Sequence, residues 1–138
     1  MTRKTFFELM GISITASATI CNLDSCKKNE LTSTDKIDFT IDLTDPLYSK
    51  LLQIDNFIFI NKSIDIIIAH TKNDEFVAVA ARCTHQGSLV AYYPSDIFFC
   101  SKHGATFDTK GNVKVGPAVN PLRLFKTKLT GNKLRIYS

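Results

Sequence analysis

The sequence contains no tryptophan, and among its 138 residues there are only three histidines, four cysteines and four prolines. No uncharged apolar run approaches the roughly 20 residues a membrane-crossing helix needs. A chain that crosses a bilayer by helices is therefore not expected. A basic stripe is also missing: 17 Lys and Arg against 13 Asp and Glu give a net charge of +4. Those cations are scattered, and Lys27-Lys28 is the only adjacent pair after the first residues. Without a stripe or an RNA-binding motif, nucleic acid is not an expected partner. Repeats and low-complexity tracts are absent as well. What remains is 44% hydrophobic and 22% charged, the make-up of an ordinary globular protein. The length is that of one domain.

The first 30 residues read as an export leader. Arg3-Lys4 gives a basic start, Leu9 to Ile20 is a mostly apolar, uncharged run, and polar Asn22 and Asp24 follow. Thr2-Arg3-Lys4-Thr5-Phe6-Phe7 resembles a twin-arginine export signal with lysine in the second basic position. Leu23-Asp24-Ser25-Cys26 resembles a bacterial lipoprotein cleavage box, which implies lipidation at Cys26, with Cys21 as a rival position. The expected location is periplasmic, or tethered on the outer side of the cytoplasmic membrane. Contact with the membrane would come only through that lipid or through a partner complex.

From residue 37 to 138 the chain reads as short strands separated by turns. Ile37 to Leu43 alternates apolar and polar residues, the pattern of a half-buried strand. Phe57 to Ile60 and Ile64 to Ala69 flank a hairpin turn at Asn61-Lys62-Ser63. The second of these is nearly all β-branched and is expected to be central, covered on both faces. Phe76 to Ala81, Leu89 to Tyr93, Ile97 to Phe99, Leu122 to Leu129 and Leu134 to Tyr137 continue the series, with turns at Lys72-Asn73-Asp74, Gly111-Asn112 and Gly131-Asn132. The only helical piece expected lies around Pro46 to Gln53. Such spacing predicts an all-β fold, an antiparallel sandwich or barrel. His70, at a strand end before a polar turn, is expected at the surface.

The informative residues are two short segments, Cys83-Thr84-His85-Gln86-Gly87 and Cys100-Ser101-Lys102-His103-Gly104. Each follows a predicted strand and runs into glycine. One disulfide is formally possible, but sulfur and imidazole in matched pairs point to metal. An S₂N₂ set suits zinc or iron–sulfur. Structural zinc sites usually pair two cysteines in one knuckle and two histidines in another. Here each loop supplies one of each, which suits a binuclear cluster with both sulfurs on one iron and both nitrogens on the other. A Cys₂His₂ zinc module remains the alternative.

Cys-x-His, 14 residues, then Cys-x-x-His resembles the signature of the Rieske family of 2Fe–2S proteins. Gly104-Ala105-Thr106-Phe107-Asp108, and Gly116-Pro117-Ala118 before Pro121-Leu122, extend the resemblance over residues 37 to 137. It implies a β-sandwich with a small cluster-binding subdomain, its loops at about 82–108 and a proline loop at about 115–121. One 2Fe–2S cluster per subunit would be held by Cys83, His85, Cys100 and His103. Gln86, Gly87, Ser88, Gly104, Ala105, Gly116 and Pro117 would shield it. Rieske proteins of cytochrome bc complexes carry an extra cysteine in each loop, joined by a disulfide; Ser88 and Lys102 stand there instead. The serine and tyrosine that donate hydrogen bonds to cluster sulfurs in those proteins are replaced by Ala105 and Phe107. Losing donors near sulfur disfavours the electron-rich reduced state, so a potential low in the Rieske span is expected.

The expected function is single-electron transfer between redox partners, with a protein docking at the His85/His103 edge and no catalysis by this chain alone. Two related assignments stay open: the Rieske subunit of a membrane quinol-oxidising complex, and that of an arsenite-oxidase-like complex.

Overall fold

The computed structural model describes residues 36–138. The expected leader, with Cys21 and Cys26, lies outside the described residues. Ten strands follow one another: β1 (Asp38–Asp42), β2 (Asn56–Asn61), β3 (Asp65–His70), β4 (Phe76–Ala80), β5 (Ala91–Tyr93), β6 (Ile97–Phe99), β7 (Thr106–Asp108), β8 (Val113–Val115), β9 (Leu124–Thr130) and β10 (Lys133–Tyr137). They form a six-stranded sheet in the order β1-β10-β9-β4-β3-β2 and a four-stranded sheet in the order β5-β6-β7-β8. Every pairing is antiparallel. The all-β expectation is met. Among the described residues no helix is long and apolar enough to cross a membrane.

The run Ile66-Ile67-Ile68-Ala69 shows why the sheets meet as they do. Successive strand residues face opposite sides, and each side of β3 has its own core. Ile66 and Ile68 join Leu51, Ile58, Ile60, Phe125, Leu134 and Ile136. Ile67 and Ala69 join Val79, Val90, Tyr92, Phe98 and Phe107, with Cys83 and Cys100 in the same cluster. All four residues of the run are fully buried. At roughly 1.5–3 kcal/mol for each buried isoleucine, this strand anchors the smaller sheet to the larger one. The second core therefore ends at the two cysteines.

Several elements depart from the sequence reading. The helical piece around Pro46 to Gln53 is one 3₁₀ turn, Ser49–Leu52, which sinks Leu51 into the first core. Leu89 makes one isolated bridge to Arg82, so β5 starts only at Ala91. Leu122 gives its N–H to Gly111 O at 2.8 Å, so β9 starts only at Leu124. β7 and β8 have three residues each, too few to show an alternation.

His70 is a correction: it is buried at 5% exposure, not at the surface. Its ring stacks on Phe76 at 4.4 Å, and its Nε2 lies 2.7 Å from Asp74 Oδ1. The strand end that looked open is closed by the next strand, whose first residue, Phe76, pairs with His70 in the ladder.

Candidate metal centre

Both cysteine–histidine loops are built on one backbone frame. In the first, Cys83 N–H donates to Ser88 O (2.7 Å) and Gly87 N–H to Cys83 O (2.8 Å). In the second, Cys100 N–H donates to Ala105 O (2.8 Å) and Gly104 N–H to Cys100 O (2.9 Å). The glycine falls four residues after the cysteine in both. Its φ is +76° at Gly87 and +82° at Gly104, the left-handed region in which a side chain is disfavoured. Histidine takes the second position after cysteine in one loop and the third in the other, yet the two rings meet.

His85 Nδ1 lies 3.2 Å from His103 Nδ1, with the rings perpendicular and their centroids 4.8 Å apart. Two nitrogens bound at about 2.1 Å to a tetrahedral metal would sit about 3.4 Å apart. Both imidazoles are exposed, whereas Cys83 and Cys100 are only 3% and 2% exposed. The sulfurs close the inner core and the imidazoles form its outer rim. Burial pushes the Cys83 thiol pKa up; the Cys100 thiol beside it acts in the same direction, while backbone N–H groups of His85 and Gln86 pull it down. Those N–H groups suit a sulfur that carries charge.

The donors thus fall as like pairs, cysteine with cysteine and histidine with histidine, each pair drawn from two loops. Among the described residues no three or more His, Cys, Asp or Glu side chains gather as ligands of a single metal ion. Pairing of this kind fits two metal atoms with two protein ligands each, and fits one tetrahedral zinc less well. Cys83 and Cys100 are the described cysteines, and both are free thiols.

The other expected loop residues differ in burial. Gln86 is exposed, and Gly87 and Ser88 are half-buried. Gly104 is half-buried, while Ala105 and Phe107 are fully buried. Lys102 is exposed. In the proline loop the Gly116–Pro117 peptide is cis, and both residues are exposed. Ala118 behind them packs into the core with the cysteines, and Val119 stands 87% exposed.

Two further residues hold the first loop. Thr84 Oγ1 donates to Asn120 O at 2.6 Å, fastening that loop to the proline loop. Arg82 donates to Gly87 O at 3.0 Å and pairs with Asp65 Oδ2 at 2.6 Å, fastening it to β3. Their position beside Cys83 was the only sequence signal, and it named no partner. On the other side, Gly111 holds the proline loop. Its φ is +84°, and an added Cβ would lie 2.5 Å from Leu122 O.

Comparison with known proteins gives three results. A family model described as the Rieske [2Fe-2S] domain matches residues 45–126. The cytochrome b6-f complex iron-sulfur subunit of Chlorobaculum thiosulfatiphilum is 36% identical over 73 residues, covering 52% of this chain and 40% of that protein. A second such subunit, from Chlorobaculum tepidum, is 34% identical over 71 residues. The chain spans about two fifths of the length of these curated relatives. Among solved structures, the cyanobacterial plasma membrane Rieske protein of Synechocystis PCC 6803 has a TM-score of 0.59 at 24% identity, over 72% of this chain and 99% of that one, a likeness of fold. A chain of a hyperthermophilic respiratory Complex III has a TM-score of 0.53 at 27% identity, over 69% of this chain and 71% of that one.

Proposed function

The chain belongs to the Rieske [2Fe-2S] family, whose 2Fe–2S cluster is its cofactor, and from that premise we propose that it passes single electrons through a cluster held by Cys83, His85, Cys100 and His103. When bound, the cluster supplies one-electron redox chemistry. The observation that carries this reading is the pairing of donors, with two buried sulfurs inside and two exposed imidazoles 3.2 Å apart outside. Cys83 and Cys100 keep the inner side dry. His85 and His103 put the outer side within reach of a docking redox protein, and the exposed Lys102 beside them gives that edge a positive charge.

The leader would carry the domain across the cytoplasmic membrane, and Cys26 would tether it there by lipid. The quinol-oxidising alternative is supported by the b6-f and Complex III likenesses. Ser88, Lys102, Ala105 and Phe107, where the resemblance calls for a disulfide and two hydroxyls, favour a separate low-potential carrier.

Visible and electron paramagnetic resonance spectra of the purified protein, followed by a redox titration, test the proposal. A 2Fe–2S signal with a midpoint toward the low end of about −150 to +300 mV is expected. A colourless protein with one zinc would overturn the cluster. A midpoint above about +200 mV, in the upper part of that range, would overturn the low-potential carrier. Labelling with a radioactive fatty acid that survives Cys26→Ser would overturn lipidation at that residue.

A further inference from the structure

The ladders sort the charged residues to the two ends of the domain. β4 runs into the first cysteine–histidine loop, so antiparallel pairing sets the end of β2, the start of β3 and the start of β9 at that same end. Pairing of β9 with β10, and of β10 with β1, brings the start of β1 there too. β6 runs into the second loop, which meets the first at the two histidines. The cations of this end are Lys36 before β1, Lys62 in the β2–β3 turn, Arg82 and Lys102 beside the ligands, and Arg123 and Lys126 around the start of β9. Its carboxylates are Asp65, which Arg82 binds at 2.6 Å, and Asp38, which Arg135 binds.

The opposite end reverses the balance. Asp55 leads into β2, Asp74 and Glu75 lie in the turn before β4, and Asp96 lies in the turn before β6. Asp55 N–H donates to His70 O, and Lys72 N–H lies 3.4 Å from Asp96 Oδ1, so these turns of both sheets gather in one region. Asp42 closes β1 with Asp45 after it, and Asp108 stands opposite Ile97 in the ladder. Lys50, Lys72, Lys110 and Lys133 offset these carboxylates only in part, and Lys114 and Lys128 lie between the two ends. Among the described residues the domain is therefore polarised along its strands, cationic where the histidines lie and acidic far from them.

We infer that this polarity selects the electron-transfer partner: an acidic redox protein that docks with its carboxylates around the His85/His103 edge. The inference rests on the cluster reading above and names the chemistry of what docks there. A field of this direction draws an anion toward the imidazoles and turns a cation away, and at low salt it acts well beyond contact distance. Arg82 and Lys102 are both exposed beside the ligand loops. Pro117 and Val119, exposed on the proline loop, add the apolar contact that a protein interface carries inside its charged rim. A lipid surface could meet the same cations, but it offers no one-electron acceptor. In the transfer one electron leaves the reduced cluster and enters the partner's redox centre, and no covalent bond joins the two proteins.

Stopped-flow oxidation of the full-length, reduced protein tests it with two oxidants of opposite charge, ferricyanide and tris(phenanthroline)cobalt(III). Each takes one electron from the cluster, giving ferrocyanide or the cobalt(II) complex. The ferricyanide rate is expected to fall as salt is added, and the cobalt rate to rise. Net charge alone would also do that, so position decides. Lys102→Glu is expected to slow ferricyanide at least about fivefold at low ionic strength, and Lys72→Glu, the same charge change at the far end, less than about twofold. Lys62→Glu, outside the ligand loops, should fall between them, and it carries the test if Lys102→Glu fails to hold the cluster. Poly-glutamate should slow the ferricyanide reaction and polylysine should not. Equal effects at the two ends overturn the inference, because net charge would then account for the rates. Slowing by phosphatidylglycerol vesicles but not by poly-glutamate overturns it too, and gives the cationic end to a lipid surface. A protein with no cluster spectrum overturns the cluster reading and the inference together, whereas a cluster that reacts without regard to where charge sits overturns the inference alone.

Discussion

The two cysteine–histidine loops share two closing bonds, the cysteine N–H on Ser88 O or Ala105 O and the Gly87 or Gly104 N–H on the cysteine O, and there the likeness ends. The second is the turn of a hairpin, with β6 and β7 paired through Ile97–Asp108, Phe98–Phe107 and Phe99–Thr106. Main-chain ladder bonds position it, and almost any sequence can supply those. The first leaves β4 with only the bridge between Arg82 and Leu89 and the bond from Val90 N–H to Ala81 O behind it. Side chains make up the difference, with Arg82 on Gly87 O and Asp65, and Thr84 on Asn120 O. A loop framed by a ladder needs its cysteine, histidine and glycine. A loop without one also needs particular neighbours.

Replacing either cysteine is the coarsest test, because the two loops should then behave alike. Cys83→Ser and Cys100→Ser are each expected to abolish the cluster spectrum, and retention in one of them would break the symmetry of the pair. The shared frame predicts a second equality. Gly87→Ala and Gly104→Ala meet open space, so each should cost only the left-handed backbone term, about 1–2 kcal/mol by thermal or denaturant unfolding. A large difference between them would show that the frames are not equivalent.

The contrast itself is sharpened by side chains. Thr84→Val should cost about 1 kcal/mol for the lost hydrogen bond, while Ser101→Ala in the second loop should change stability by less than about 0.5 kcal/mol. Equal effects would remove the distinction between ladder and mooring. The smallest effect concerns acid. Burial alone would raise the pKa of Asp108, but hydrogen bonds from the Asn112 side chain and from the Asn112 and Lys110 N–H groups outweigh it and hold the pKa below its ordinary value. A carboxyl depressed on folding contributes stability above its unfolded pKa of about 3.9, and that stability is lost as pH falls through the lower folded value. Asp108→Asn should therefore flatten the loss of stability below about pH 4, measured by unfolding at a series of pH values.

The parts legible in the sequence were those that repeat or that carry rare chemistry. Ile66 to Ala69 announced a doubly covered strand because β-branched residues filled both of its faces. Cys83, His85, Cys100 and His103 stood out because the chain has so few cysteines and histidines. His70 misled because a polar turn after a strand suggests an open end, whereas the aromatic Phe76 returns to cover it. The turn at Gly111-Asn112 was legible but its arms β7 and β8 were not, because Thr106-Phe107-Asp108 and Val113-Lys114-Val115 lack the unbroken apolar run that marked the equally short β6. Arg82 and Thr84 were invisible as moorings because their partners, Asp65 and Asn120, are distant in sequence.

The double burial of β3 also bears on how the chain avoids folding wrongly. In most strands a slip of one residue is penalised because polar side chains would turn inward. Ile66, Ile67, Ile68 and Ala69 offer no such penalty, since every neighbour is as apolar as the one it would replace. The register must be kept from the ends. Asn61 Nδ2 donates to Asp65 Oδ1 at 2.6 Å across the β2–β3 turn, and the Asp65 carboxylate also receives Arg82 from the threshold of the first loop. A single exposed-side polar bracket thus polices both the alignment of the strand and the placing of Cys83, so an error in one is felt at once by the other.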